Sequence, residues 1–100
     1  EEWRMSQVKF KAIHKGKEVE VLAGWDRPLR EFFMSVFNDE GDTIWSTLDM
    51  MPGWTQGKTA PLEAQLQEMN IEPPHGFWDI VNLREGNVGH TFKEGKWESW

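Results

Sequence analysis

Between Val8 and Ala12 the chain alternates strictly, with apolar Val8, Phe10 and Ala12 separated by Lys9 and Lys11. That is the period of a strand with one buried face. Lys15-Gly16 then supplies a two-residue turn in which glycine takes the positive φ that hairpin loops demand. Setting His14 opposite Lys17 places Phe10 across from Val21 and Ala12 across from Val19 on one face. Lys11 then meets Glu20 on the other. Apolar partners face each other, opposite charges face each other, and a slip of one residue would turn Phe10 into water. A hairpin in this register is the strongest structural commitment in the chain.

The next elements follow from punctuation. Gly24-Trp25-Asp26-Arg27-Pro28-Leu29 breaks the second strand: Pro28 disfavours helix at Arg27, and Asp26 can accept backbone N–H groups in a turn. Glu31 to Phe37 reads as a third strand, with Phe32, Met34 and Val36 on one face and Phe33 and Phe37 on the other. Apolar groups on both faces suit a central strand, or one whose outer face meets a partner. Asn38 to Asp42 is a turn, Thr43 to Leu48 a fourth strand, and Asp49 to Thr59 a loop punctuated by Pro52, Gly53 and Gly57.

A helix is expected from near Pro61, with Thr59 or Ala60 in its capping region and Leu62, Leu66 and Met69 as its buried stripe. Asn70 suits the left-handed position past its end, and Ile71 can fold back onto its last turn. After the rigid Glu72-Pro73-Pro74, a second helix is expected from Pro74 or His75 to Glu85, presenting Phe77, Ile80, Val81 and Arg84 and closed by Gly86. His90 to Phe92 and Lys96 to Trp100, joined by Glu94-Gly95, read as a second hairpin in which Phe92 opposes Trp97. Such a hairpin is marginal alone and must dock on something. The predicted fold over residues 1–100 is therefore a single α+β domain: an antiparallel four-strand meander, two helices on one face and a C-terminal β-hairpin.

Seven tryptophans in 100 residues, with no tyrosine and no cysteine, set the functional expectation. A domain of this size buries roughly two-thirds of its unfolded surface. It cannot easily hide Trp3, Trp25, Trp45, Trp54, Trp78, Trp97 and Trp100 together, and clustered surface aromatics point to recognition. The net charge of −6 argues against a general nucleic-acid binder or an anionic-membrane binder. The charge is uneven: residues 1–17 carry five bases against two acids, and residues 18–57 carry two bases against eight acids. The lack of cysteine removes disulfides and thiol chemistry and fits a reducing, cytoplasmic setting. No run of about 18 apolar residues or signal-peptide pattern is present. Met5-Ser6 reads as a native start, which would make Glu1 to Arg4 a leader.

Signals for chemistry are poor. His14, His75 and His90 fall on different predicted elements without metal-ligand spacing, so no metal, cofactor or catalytic residue is expected. The acidic turn Asn38–Asp42 lacks the ligand spacing of a calcium loop. A pair such as His75 with Glu72 or with Asp79 could do acid–base work, though such pairs arise often by chance. The strongest local candidate for recognition is the Trp25-Asp26-Arg27 turn, which combines an aromatic ring, an acceptor and a forked donor. Its structural alternative has Asp26 capping the turn, Arg27 paired with a carboxylate and Trp25 plugging the sheet edge. Trp45 and Trp54, the latter in the long loop, complete the candidate binding set.

The run Gly24-Trp25-Asp26-Arg27-Pro28-Leu29, with Phe32-Phe33, Ile44 to Asp49 and Met69 to Pro74, resembles a group of small uncharacterised bacterial proteins. In that group a G-W-D-R-P-L strand turn precedes a Ser-Asn-Leu-type strand end and a helix ending in a Gly-Ile-x-x-Pro pattern. Here Thr47 and Asn70 stand where the group's pattern has Asn and Gly. The resemblance spans Val8 to Leu83. It implies a bacterial cytoplasmic setting and a four-strand, two-helix domain, and it carries no function.

The favoured reading is thus a small acidic module that recognises a protein partner through a Trp-bearing surface. The alternatives are a carbohydrate or small-molecule binding domain, or a small enzyme using His75 with a carboxylate. The oligomeric state stays open at this level.

Overall fold

Alternation at Val8–Ala12 produces the hairpin register in full. In the computed structural model, which describes residues 6–84 and 88–100, β1 (Gln7–His14) and β2 (Lys17–Asp26) pair antiparallel. Phe10 lies opposite Val21, Ala12 opposite Val19, Lys11 opposite Glu20 and His14 opposite Lys17. β3 (Glu31–Asn38) continues the sheet, and Phe32, Met34 and Val36 point into the core as their spacing requires. β4 (Thr43–Ser46) pairs with β3 across a register shift at Val36/Phe37.

The chain is α+β, but the sheet is larger and more mixed than a four-strand antiparallel meander. β5 (Gly89–Lys93) and β6 (Lys96–Ser99) form the expected hairpin, with Phe92 opposite Trp97. The hairpin joins the sheet through a parallel pairing of β5 with β1, giving one six-stranded sheet in the order β4-β3-β2-β1-β5-β6. The free edge of β1 supplies the docking partner that an isolated hairpin lacks, and covers an otherwise unpaired row of backbone groups.

Two helices cover one face. In α1 (Ala60–Glu68), Leu62 and Leu66 are buried while Gln67 and Glu68 are exposed. Past its end, Asn70 takes φ 58° and the Ile71 amide donates to the Leu66 carbonyl at 2.9 Å, burying Ile71 against the core. α2 is only Phe77–Val81, shorter than the Pro74–Glu85 span expected from periodicity. Gly76, at φ 91°, delays its start, and Leu83 and Arg84 leave the helix through 3-turn hydrogen bonds to the Ile80 and Val81 carbonyls. Glu85 and Gly86, the expected helix end, lie outside the described residues, as do Trp3 and the Glu1–Met5 segment.

A second departure falls at the end of β4. The Thr43–Leu48 strand stops at Ser46, and Thr47–Asp49 forms a 3₁₀ turn. The Ser46 hydroxyl accepts from the Leu48 amide at 3.1 Å, and the Thr47 hydroxyl accepts from the Met34 amide at 3.2 Å. These side-chain bonds compete with strand pairing, as Ser and Thr do wherever they can reach a backbone N–H. Leu48 is thereby turned out of the sheet.

Phe10, Val21, Phe32, Met34, Leu62, Leu66, Phe77 and Val81 form the centre of one core between the sheet and the helices. Phe77 is its hub. Its ring meets Phe10 edge-on at 4.8 Å and Trp78 at 4.7 Å, and stacks with Trp97 at 6.2 Å. The Trp97 indole donates to the His75 carbonyl at 3.0 Å, fastening the terminal hairpin to the start of α2.

Candidate functional site

Turning Leu48 outward shapes a groove at the end of β3. The chain from Thr47 to Thr55 wraps past the Arg27–Arg30 turn, and the two segments enclose a cavity of about 230 Å³. Its walls include Leu29, Phe32, Phe33, Met50, Met51 and Trp54, with the carboxyl-bearing Asp26 and Glu31 among them. Three lining side chains stand far out in solvent: Leu48 is 89% exposed, Met51 80% and Leu29 67%. An isolated exposed leucine signifies little, but apolar side chains gathered around one concavity mark interaction sites.

The rim is held by the backbone. Asp26 accepts the Leu29 amide on Oδ1 at 3.2 Å, closing the turn that brings Leu29 forward. Glu31 accepts the Gly53 amide on Oε1 at 2.8 Å, tying the long loop to β3 across the groove. Gly53 adopts φ 81°, a conformation open to glycine at little steric cost. Thr55 lies in the groove wall and is buried, and its hydroxyl oxygen has no hydrogen-bond partner among the described residues. Such an orphan costs on the order of 1–3 kcal/mol.

The five residues singled out from sequence are distributed unequally around this groove. Asp26 and Trp54 line it. Arg27 is exposed on the adjoining turn, and no carboxylate pairs with it among the described residues, so the ion pair of the structural alternative is not formed there. Trp25 is buried at 8% exposure, its ring against Phe32 at 4.8 Å and beneath the Arg84 guanidinium at 4.4 Å. It braces the turn from the core side and offers no open face. Trp45 is half-buried and meets Trp54 at 5.9 Å, so this pair joins the groove wall to the core. Of the other tryptophans, Trp78 and Trp97 pack on the core, and Trp100 lies on the opposite sheet face.

Sequence reasoning missed Leu48, Met50, Met51 and Thr55. The signal was present in Leu48-Asp49-Met50-Met51-Pro52, an apolar run inside a loop where nothing requires burial. It also missed Arg84, which stacks over Trp25 and Phe32 and donates to the Gly57 carbonyl at 3.0 Å. Its spacing suits a helix face, whereas the residue lies past the end of α2 and reaches to the long loop.

The histidines do not converge. His14 bonds through Nδ1 to the Met69 carbonyl at 2.9 Å, His90 through Nδ1 to the Ser99 hydroxyl at 3.1 Å, and His75 is exposed before α2. Among the described residues no group of three or more histidines and carboxylates is placed to hold a metal ion. No helix among them is long and apolar enough to cross a membrane. Comparison with protein-family models, with curated proteins and with solved structures gives no match.

Proposed function

We propose that this chain is an acidic binding module that takes a protein partner in the groove between the Asp26–Arg30 turn and the Thr47–Thr55 loop. The observation that carries the reading is the convergence of exposed Leu29, Leu48 and Met51 on one cavity. Methionine is unbranched and polarizable, so Met50 and Met51 can adapt to an inserted side chain without a preset shape. Asp26 and Glu31 supply polar orientation at the walls. Arg27 stands beside the opening as a forked donor of the kind enriched at binding hot spots. The net charge of −6 favours partners with a basic surface.

A sugar site would call for open aromatic faces, and the aromatic best placed on the turn, Trp25, is covered by Arg84. The test is a comparison of Leu48→Asp and Met51→Asp with Leu83→Asp, an exposed leucine (58%) that does not line the groove. All three variants should melt within a few degrees of the wild type. The two groove variants should lose the captured partner and the Leu83 variant should retain it. Equal capture by all three removes the groove as the binding surface.

A further inference from the structure

We infer that the helix-free face of the sheet is a self-complementary surface on which two copies of this chain dimerise. The face carries the side chains opposite the core: Gln7, Lys9, Lys11 and Ile13 on β1 alternate with buried Val8 and Phe10. Two kinds of observation point to a second copy rather than to water or an unrelated partner.

The first is charge. On the half formed by β1, β5 and β6, the registers bring Lys9, Lys11, Lys93 and Lys96 to this face against the single acid Glu98. On the half formed by β2 and β3 they bring Glu18 and Glu20, with Asp26 and Glu31 at the end that borders the groove and no cation among the described residues. A face that is basic on one half and acidic on the other complements itself about a two-fold axis that lies in the interface, parallel to the strands, between β1 and β2. The interface made this way is isologous, the kind found in most homodimers. It lays β1 of each copy over β2 of the other, and β5 over β3. Lys11 then lies over Glu20 of the second copy, because the two already share one level of the sheet. The other possible axis, across the strands, would set lysine on lysine.

The second is the apolar content. Leu22, Phe33 and Phe37 are only half-buried on this face, and Ile13 is 62% exposed. At one end of the face the Trp100 ring lies over Gly89, where a Cβ would come within 2.6 Å of it, and the Lys9 ammonium sits 4.9 Å above that ring. Gly89 is level with Gln7, and Gln7 follows the register to Gly24 and Phe33. The same two-fold therefore carries Trp100 of one copy toward Phe33 of the other. Six strands spaced about 4.8 Å and roughly 20 Å long present on the order of 600 Å² in projection. Side-chain relief brings this near the ~800 Å² per partner of a stable interface. Aligned sheet packing is an ordinary way to cover such a face.

The test is sedimentation equilibrium of the full chain from about 1 to 200 µM, the range in which an interface of this size should assemble. The wild type should approach twice its 11.8 kDa mass. Lys11→Glu alone and Glu20→Lys alone should each weaken the dimer about tenfold or more, since two contacts per dimer become repulsive. Mixing these two variants should restore a heterodimer, although each keeps a like-charged pair within its own sheet. That recovery separates contacts between copies from cross-strand effects. A wild type that stays at 11.8 kDa throughout overturns the proposal. A dimer indifferent to both substitutions, or one that mixing does not restore, assigns the contact to another face and overturns it equally. Lys11 and Glu20 do not line the groove, although Phe33, Asp26 and Glu31 border both surfaces, so the readout is the mass of the chain alone and not partner capture.

Discussion

At the scale of single residues, the structure separates groups that hold the fold from groups left over for recognition. Phe10 is buried at the centre of the core and Lys11 beside it is exposed. Phe10→Ala should cost about 3–5 kcal/mol in urea titrations. Lys11→Ala should cost less than about 0.5 kcal/mol. Similar costs for both would refute the register. Gly24 is required by close approach: a Cβ there would strike the Ser6 carbonyl and stand 2.9 Å from the Phe33 ring. Thr55 makes a subtler case. Replacing its orphan hydroxyl by a methyl of similar shape, Thr55→Val, should leave stability unchanged or raise it by about 1 kcal/mol. A marked loss of stability would show that the hydroxyl already serves the fold.

At the scale of elements, α1 packs through Leu62 and Leu66. Leu66→Ala should therefore cost roughly 2–5 kcal/mol. A cost under about half a kcal/mol would place the helix off the core. The strands and α1 were legible because their periods repeat: Val8 to Ala12, Phe32 to Val36 and Leu62 to Leu66 each show one buried face. α2 was not, because Phe77, Ile80, Val81 and Arg84 share helical spacing while only the first three lie in the helix. Arg84 serves as a cation over Trp25 and Phe32, a tertiary contact that no local pattern encodes. The early end of β4 was equally hidden, since it depends on the Thr47 hydroxyl reaching an amide of β3. Parallel docking of the last hairpin on β1 was beyond local reasoning for the same cause: its partners, such as Val8 and His90, lie far apart in sequence. Of the groove, Asp26 and Trp54 were legible by residue type. The outward turn of Leu48 and the position of Met51 depended on that hidden end of β4.

At the scale of the whole molecule, one sheet divides the labour. Its helix-covered face holds the core, the end of β3 carries an apolar groove, and the helix-free face displays opposed charges. The rigid part is the sheet, and the groove is built from the turn and long loop that it positions, which is where binding residues commonly reside. The central claim is that the groove meets a protein. It is tested most directly by placing a photo-activated cross-linking side chain at Leu48 in one variant and at Leu83 in another, then irradiating the cells that make the protein. The Leu48 position should give a discrete adduct with another protein while the Leu83 position gives none. Adducts of equal yield from both positions, or from Leu83 alone, would contradict the account.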